Sequence, residues 1–257
     1  MEHHHSIMYG PVNAVWEWLL SITGLASTTL PPWAKSFVGQ DVARLGEVQI
    51  PDYVAMSIFV FLVLVAIFLP LKGMLREENP GKFQIFLEQL VHGLKNLIDD
   101  QIGHGASERY LPLMGAMTLF IFFCNICGLF FFLTPPSQSV NMTFGLAFFS
   151  FFLYNWIGIK THGWGYVKHF LGPIPLLAPL FIIVELVSHN ARWLSLGLRL
   201  FGNITGEHTG SGVFNDLIPL LVPLPLMALG RFAAVIQTFI FVMLTVVYIA
   251  GAEAEEH

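Results

Sequence analysis

Long apolar runs, each near the thickness of a bilayer, alternate with short polar connections along most of this chain. The runs from Tyr53 to Leu71, Leu111 to Leu133 and Met142 to Ile159 predict ordinary spanning helices. A helix of about 20 residues, rising 1.5 Å per residue, matches a hydrocarbon core of about 30 Å. Two further runs, Pro175 to Gly206 and Leu217 to Ala250, are longer. As continuous helices each would reach roughly 45 to 50 Å, too long to stand upright in such a core. Either they tilt steeply, or they lie partly along another protein, which hints at a curved partner.

Between the first two spans, residues 80–102 repeat apolar positions at helical spacing: Phe83, Phe86, Leu87, Leu90, Leu94 and Leu97. Lys82, Glu88, Lys95 and Asp99 fill the intervening positions, predicting an amphipathic helix at the membrane interface or, equally well, one packed on another subunit. The N-terminal segment, 1–52, holds one apolar stretch, Ala14 to Leu30, broken by Glu17 and Gly24 and closed by Pro31 and Pro32. An interfacial helix fits that stretch better than a sixth span, and the basic head of a secretory signal is missing. The expected architecture is an all-α integral membrane protein, with about five transmembrane helices within residues 53–257.

Composition agrees: 55% of residues are hydrophobic, 11% are charged, Phe contributes 24, and mean hydropathy is +0.67. Nothing indicates nucleic acid. Lys72, Arg76 and Lys82 follow the first span and Lys160 and Lys168 the third, while Thr134 to Asn141 carries no base. By the positive-inside rule the N-terminus lies outside and the C-terminus in the cytoplasm. Cys124 and Cys127, an i,i+3 pair in an apolar helix, read as small fillers rather than redox or metal chemistry.

The chemistry concentrates in the fourth span. Glu185, Ser188, Arg192, Ser195, Arg199, Asn203 and Gly206 follow at steps of three or four, forming a polar stripe that Glu207 and His208 extend outward. Helix packing explains the small residues but not an acid and two arginines. An arginine at mid-membrane costs about 2.5 to 3.5 kcal/mol on insertion scales and cannot escape by losing its proton, so an ion pathway or counter-ion is the default expectation. On the fifth span Gln237 is a buried amide in need of a partner, with Arg199 or Asn203 the natural ones. Tyr248, near a membrane end, reads more readily as an interfacial anchor than as a proton carrier.

The run Leu194-Ser195-Leu196-Gly197-Leu198-Arg199-Leu200-Phe201-Gly202-Asn203 resembles the signature of subunit a of bacterial F-type ATP synthases. Pro80-Gly81-Lys82-Phe83-Gln84, Pro136-Ser137 with Asn141-Met142-Thr143, Ile236 to Phe241 and the ending Glu255-Glu256-His257 match in order, covering about two thirds of the chain. The resemblance implies a stator subunit in the bacterial inner membrane that carries ions, protons rather than sodium on account of Glu207 and His208, through two offset half-channels to the rotating ring of subunit c, with the last two helices a long, steeply tilted hairpin along that ring. Subunit b of the peripheral stalk, the rest of the synthase and the bilayer are the other implied partners. Arg199 matches the essential coupling charge. Glu185 and Ser188 match positions of the cytoplasmic half-channel, and Asn203, His208 and Gln237 match positions near the arginine and the outer one. No cofactor or metal is implied, and the chain shows no Gly-rich phosphate loop, so it would contribute transport rather than ATP chemistry.

Two positions depart from the resemblance. Gly230 stands where an acid or histidine is usual, seven residues before Gln237, and Gly128 falls where an acid is often found. The outer path is therefore expected to rely on Glu207, His208 and water, with Arg231 paired to Glu207 in place of the group missing at Gly230. A haem protein using His189 and His208 is the competing class, weakened because both lie on one segment. A passive scaffold is the other, and it would tolerate loss of Arg199.

Overall fold

The computed structural model describes residues 9–23, 50–75, 80–128, 133–163, 178–217 and 223–254. The described residues are helical, apart from caps, turns and short connections: α1 (Tyr9–Thr23), α2 (Asp52–Met74), α3 (Lys82–Ile102), α4 (Ala106–Cys127), α5 (Val140–His162), α6 (Ala178–Leu217) and α7 (Pro223–Glu253). A 3-10 turn, Pro136–Gln138, precedes α5. Among the described residues four helical stretches are long and apolar enough to cross a membrane: Asp52–Leu71, Ala106–Cys127, Val140–His162 and Ala228–Glu253. α6 is charged along its length and packs along α5 and α7. At about 1.5 Å per residue its 40 residues make a rod of roughly 60 Å, about twice the hydrocarbon thickness.

Several boundaries differ from the hydropathy pattern, two of them for identifiable reasons, and Leu217, expected to open the last helix, instead closes α6. α4 begins at Ala106 rather than Leu111 because its polar first turn is capped from outside. The Ser107 backbone N–H and hydroxyl both donate to the Asp99 carboxylate at the end of α3, each at 2.9 Å. Gly103 and Gly105, with φ of 133° and 88°, make the reversal between the two helices that a side chain would strain. α6 continues past Gly206 to Leu217 although Gly206, Gly210 and Gly212 invite a break. Each glycine costs about 1 kcal/mol in a helix, but a backbone released into an apolar medium would lose hydrogen bonds worth several times that.

The main core lies where α3, α4, α5, α6 and α7 meet, with Ile98, Met114, Ile121, Tyr154, Leu200, Phe241 and Val246 buried. α2 attaches separately, through Met56 and Val60 against Cys124 and Cys127, so the two cysteines serve as apolar filling. α5 and α6 cross closely at small residues. A Cβ added at Gly197 would meet Phe144 Cγ at 3.3 Å and Ala147 Cβ at 3.4 Å. At the far end of α7, Glu253 accepts hydrogen bonds from Tyr110 and from Arg109, the latter at 3.3 Å. α1 packs on α2 and is pinned by buried Asn13, whose Nδ2 donates to Ile50 O at 3.2 Å. Val15, Trp18 and Ile22 of α1 remain exposed, an apolar face suited to an interface, and the rest of the expected Ala14–Leu30 helix lies outside the described residues.

Candidate functional site

α6 presents two faces. His189, Leu196, Gly197, Leu200 and Ile204 are buried inward, and the polar stripe runs beside them, half-buried at Glu185, Ser188 and Arg192 and exposed at Ser195, Arg199, Asn203 and Gly206. Arg199 thus points away from the core between exposed Leu194, Leu198 and neighbouring apolar positions. Among the described residues no carboxylate lies within 4.0 Å of it, whereas Arg192 approaches Glu185 at 3.9 Å.

One turn beyond Arg199, Asn203 Nδ2 donates to Gln237 Oε1 at 3.0 Å, joining α6 to α7. Gln237 is only 2% exposed, and its Nε2 finds no acceptor among the described residues. A buried amide proton without an acceptor costs about 1 to 3 kcal/mol, so this donor is set to hold a water or a passing ligand. Asn125 of α4 supports this wall from behind. Its Nδ2 donates to Ala234 O at 3.2 Å and Thr238 Oγ1 at 3.1 Å, while Ser137 donates to its Oδ1 at 2.8 Å. Sequence reasoning passed over Asn125, although a lone amide between two cysteines in an apolar run was its visible signal.

A second polar group lies toward Glu185. The Arg192 guanidinium sits 5.7 Å from the centre of the Tyr248 ring, and that ring packs on Tyr154 with centroids 5.7 Å apart. The Tyr154 hydroxyl lies 3.3 Å from His189 Nε2, which also contacts Asn155 Oδ1 at 2.7 Å. Tyr248 therefore carries a cation on its ring rather than standing alone as an anchor. His189, Tyr154 and Asn155 were not legible as a group, because nothing in their spacing joins α5 to α6.

At the other end of the stripe, the Glu207 carboxyl group lies directly on Gly230. A Cβ added there would overlap Glu207 Cγ, Cδ and Oε2, inside 3.0 Å of each. The carboxylate from α6 thus fills the space where a side chain at 230 would begin. The side chains of His208 and Arg231 lie outside the described residues, and with them the geometry of the expected Arg231–Glu207 pair.

These features define an all-α membrane protein with an exposed fixed cation on the longest of its described helices and polar groups on either side of it. The family described as "ATP synthase A chain" matches residues 54–250. ATP synthase subunit a of Sulfurihydrogenibium sp. is 44% identical over 173 residues, 67% of this chain and 83% of the relative. Those of Geotalea daltonii and Solibacter usitatus are 39% and 40% identical, covering 78% and 80% of this chain and 86% and 88% of theirs. The chain belongs to the ATP synthase subunit a family, the proton-transporting membrane subunits of F-type ATP synthases.

Proposed function

We propose that this chain carries protons through two offset half-channels to a rotating ring of subunit c, with Arg199 as the charge that couples flow to rotation. The observation that carries the reading is the exposure of Arg199 on a narrow polar stripe flanked by exposed Leu194 and Leu198, without an acid beside it among the described residues. Facing lipid, that charge would cost about 2.5 to 3.5 kcal/mol or more, so the face suits a partner that brings a carboxylate of its own. A guanidinium keeps its proton throughout, which lets it hold a ring carboxylate ionised and block direct passage between the two paths.

Glu185 and Ser188 would serve the cytoplasmic path, and Asn203, Glu207, His208 and Gln237 the outer one. The Asn203–Gln237 bond and the unfilled Gln237 donor support a wetted wall beside the arginine. Arg231 directly follows the glycine on which the Glu207 carboxylate rests, and it is proposed to pair with that carboxylate. The N-terminus would lie outside and the C-terminus in the cytoplasm, with subunit b of the stalk as a further partner. Each proton crossing releases about 2.3 kcal/mol per 100 mV, and rotation sums several such steps.

The test is Arg199→Ala in assembled complexes. Loss of ATP-driven proton pumping with normal subunit content supports the reading, and near-normal pumping overturns it. Arg199→Lys should also be severely impaired, because an ammonium lacks the planar fork and can shed its proton when desolvated.

A further inference from the structure

Five side chains on three helices form one continuous contact path beside Glu185. Asn155 Nδ2 donates to Phe151 O at 2.7 Å, which turns its Oδ1 toward His189. Because that oxygen only accepts, His189 Nε2 must carry the proton and donate it. The Tyr154 hydroxyl, at 3.3 Å from the same nitrogen, shares that proton as acceptor. His189 is 6% exposed and edged by Phe151 and Tyr154 at centroid distances of 5.1 and 5.2 Å, so its ring has little freedom. The Tyr154 ring then backs Tyr248, and Tyr248 holds the Arg192 guanidinium.

Arg192 is thereby divided between two attractions. The Tyr248 face holds it at 5.7 Å, and Glu185 at 3.9 Å, the outer limit of an ion pair. Arg192 and Glu185 are seven residues apart, two turns along one helix face, and a guanidinium that left the ring could close on the carboxylate as a two-pronged pair. A carboxylate clamped in that way would give up its capacity to take protons from water and pass them on.

We propose that His189 is a positioning residue of the proton path, holding the Tyr154–Tyr248 pair so that Arg192 stays on the tyrosine ring and leaves Glu185 able to exchange protons. This rests on the proposed role of Glu185 in the cytoplasmic half-channel. Among the described residues, Arg192 on the same helix bears on Glu185, and Phe151, Tyr154 and Asn155 from α5 bear on His189, with Tyr248 from α7 reaching both through Arg192 and Tyr154.

The experiment measures passive proton conductance against pH in membranes with assembled complexes, normalised to subunit content. His189→Leu and Tyr154→Phe should each lower conductance about two- to fivefold, the range of a partly exposed ion pair. They should also move the profile toward acid by roughly half a pH unit. His189→Gln, whose amide can donate to Asn155, should retain the native profile. In an Arg192→Gln background His189→Leu should produce no further shift, because the cation to be restrained is gone. An equal shift in that background overturns the proposal, as does equal loss in His189→Gln and His189→Leu, which would make His189 a proton carrier. Should His189→Leu fail to assemble, Tyr154→Phe carries the same test, and an unchanged profile there is equally fatal. Arg199→Ala measured alongside separates the two levels: if it still pumps, the half-channel reading fails, whatever His189 does.

Discussion

Replacing Gly230 with alanine adds one methyl group at a point already filled by the Glu207 carboxyl, inside 3.0 Å of three of its atoms. Ordinary contact begins near 3.4 Å, so the two cannot coexist and one side must move. Held in place, the overlap would cost about 1 to 3 kcal/mol, as overpacking does. The atoms struck belong to the end of a flexible side chain, and rotating it away costs only about 0.5 to 1.5 kcal/mol. The helix pair should therefore assemble, with the carboxylate displaced by about an ångström or more. Misplacing a reacting group by about 1 Å can cost up to 100-fold in rate, and a path that retains water should soften this to about tenfold. The assay is ATP-driven proton pumping in inverted membrane vesicles, with subunit content checked by immunoblot. The exchange Gly230→Glu with Glu207→Gly restores a carboxylate to the same space from the opposite helix, and it should recover more flux than either change alone. Normal pumping by assembled Gly230→Ala complexes would refute the inference that Glu207 works from its seat on this glycine.

Arg231→Gln together with Glu207→Gln should cost less than the two single losses combined if the two charges satisfy each other, read as a double-mutant cycle on pumping; additive losses would end the pairing. Asn125→Ala leaves the buried Ser137 hydroxyl without its acceptor and Thr238 without the donor at its oxygen, and should cost about 1 to 3 kcal/mol, visible as lower thermal stability of the solubilised complex. Asp99 is held below its ordinary value of 3.8 by the Ser107 backbone N–H first, against some opposing burial, with help from the Ser107 hydroxyl and Lys95. A lowered carboxyl value stabilises the fold above the ordinary value and loses that contribution as pH falls through the lowered one. Proteolysis at the α3–α4 turn should rise only below about pH 4 in the native chain, and Asp99→Asn should remove that acid-side dependence.

Hydropathy alone determined the all-helical membrane class, because a chain in hydrocarbon must satisfy its own backbone and does so most simply as apolar helices. Period also determined which α6 residues share a face, since Glu185, Arg192 and Arg199 fall at multiples of seven wherever the helix lies. The amide partner for Gln237 was legible as a short list, and the structure selected Asn203 from it. What only tertiary structure decided were relations between helices distant in sequence. Asn125 meeting Ala234 and Thr238, Tyr154 meeting His189, and Glu207 settling on Gly230 each depend on register and rotation between neighbouring helices. Those are set by the packing of whole faces, such as the close crossing at Gly197, and no local pattern in either helix records them. The glycine at 230 shows the difference most plainly: in sequence it is a missing group, and in space it is the room that another helix's carboxylate requires.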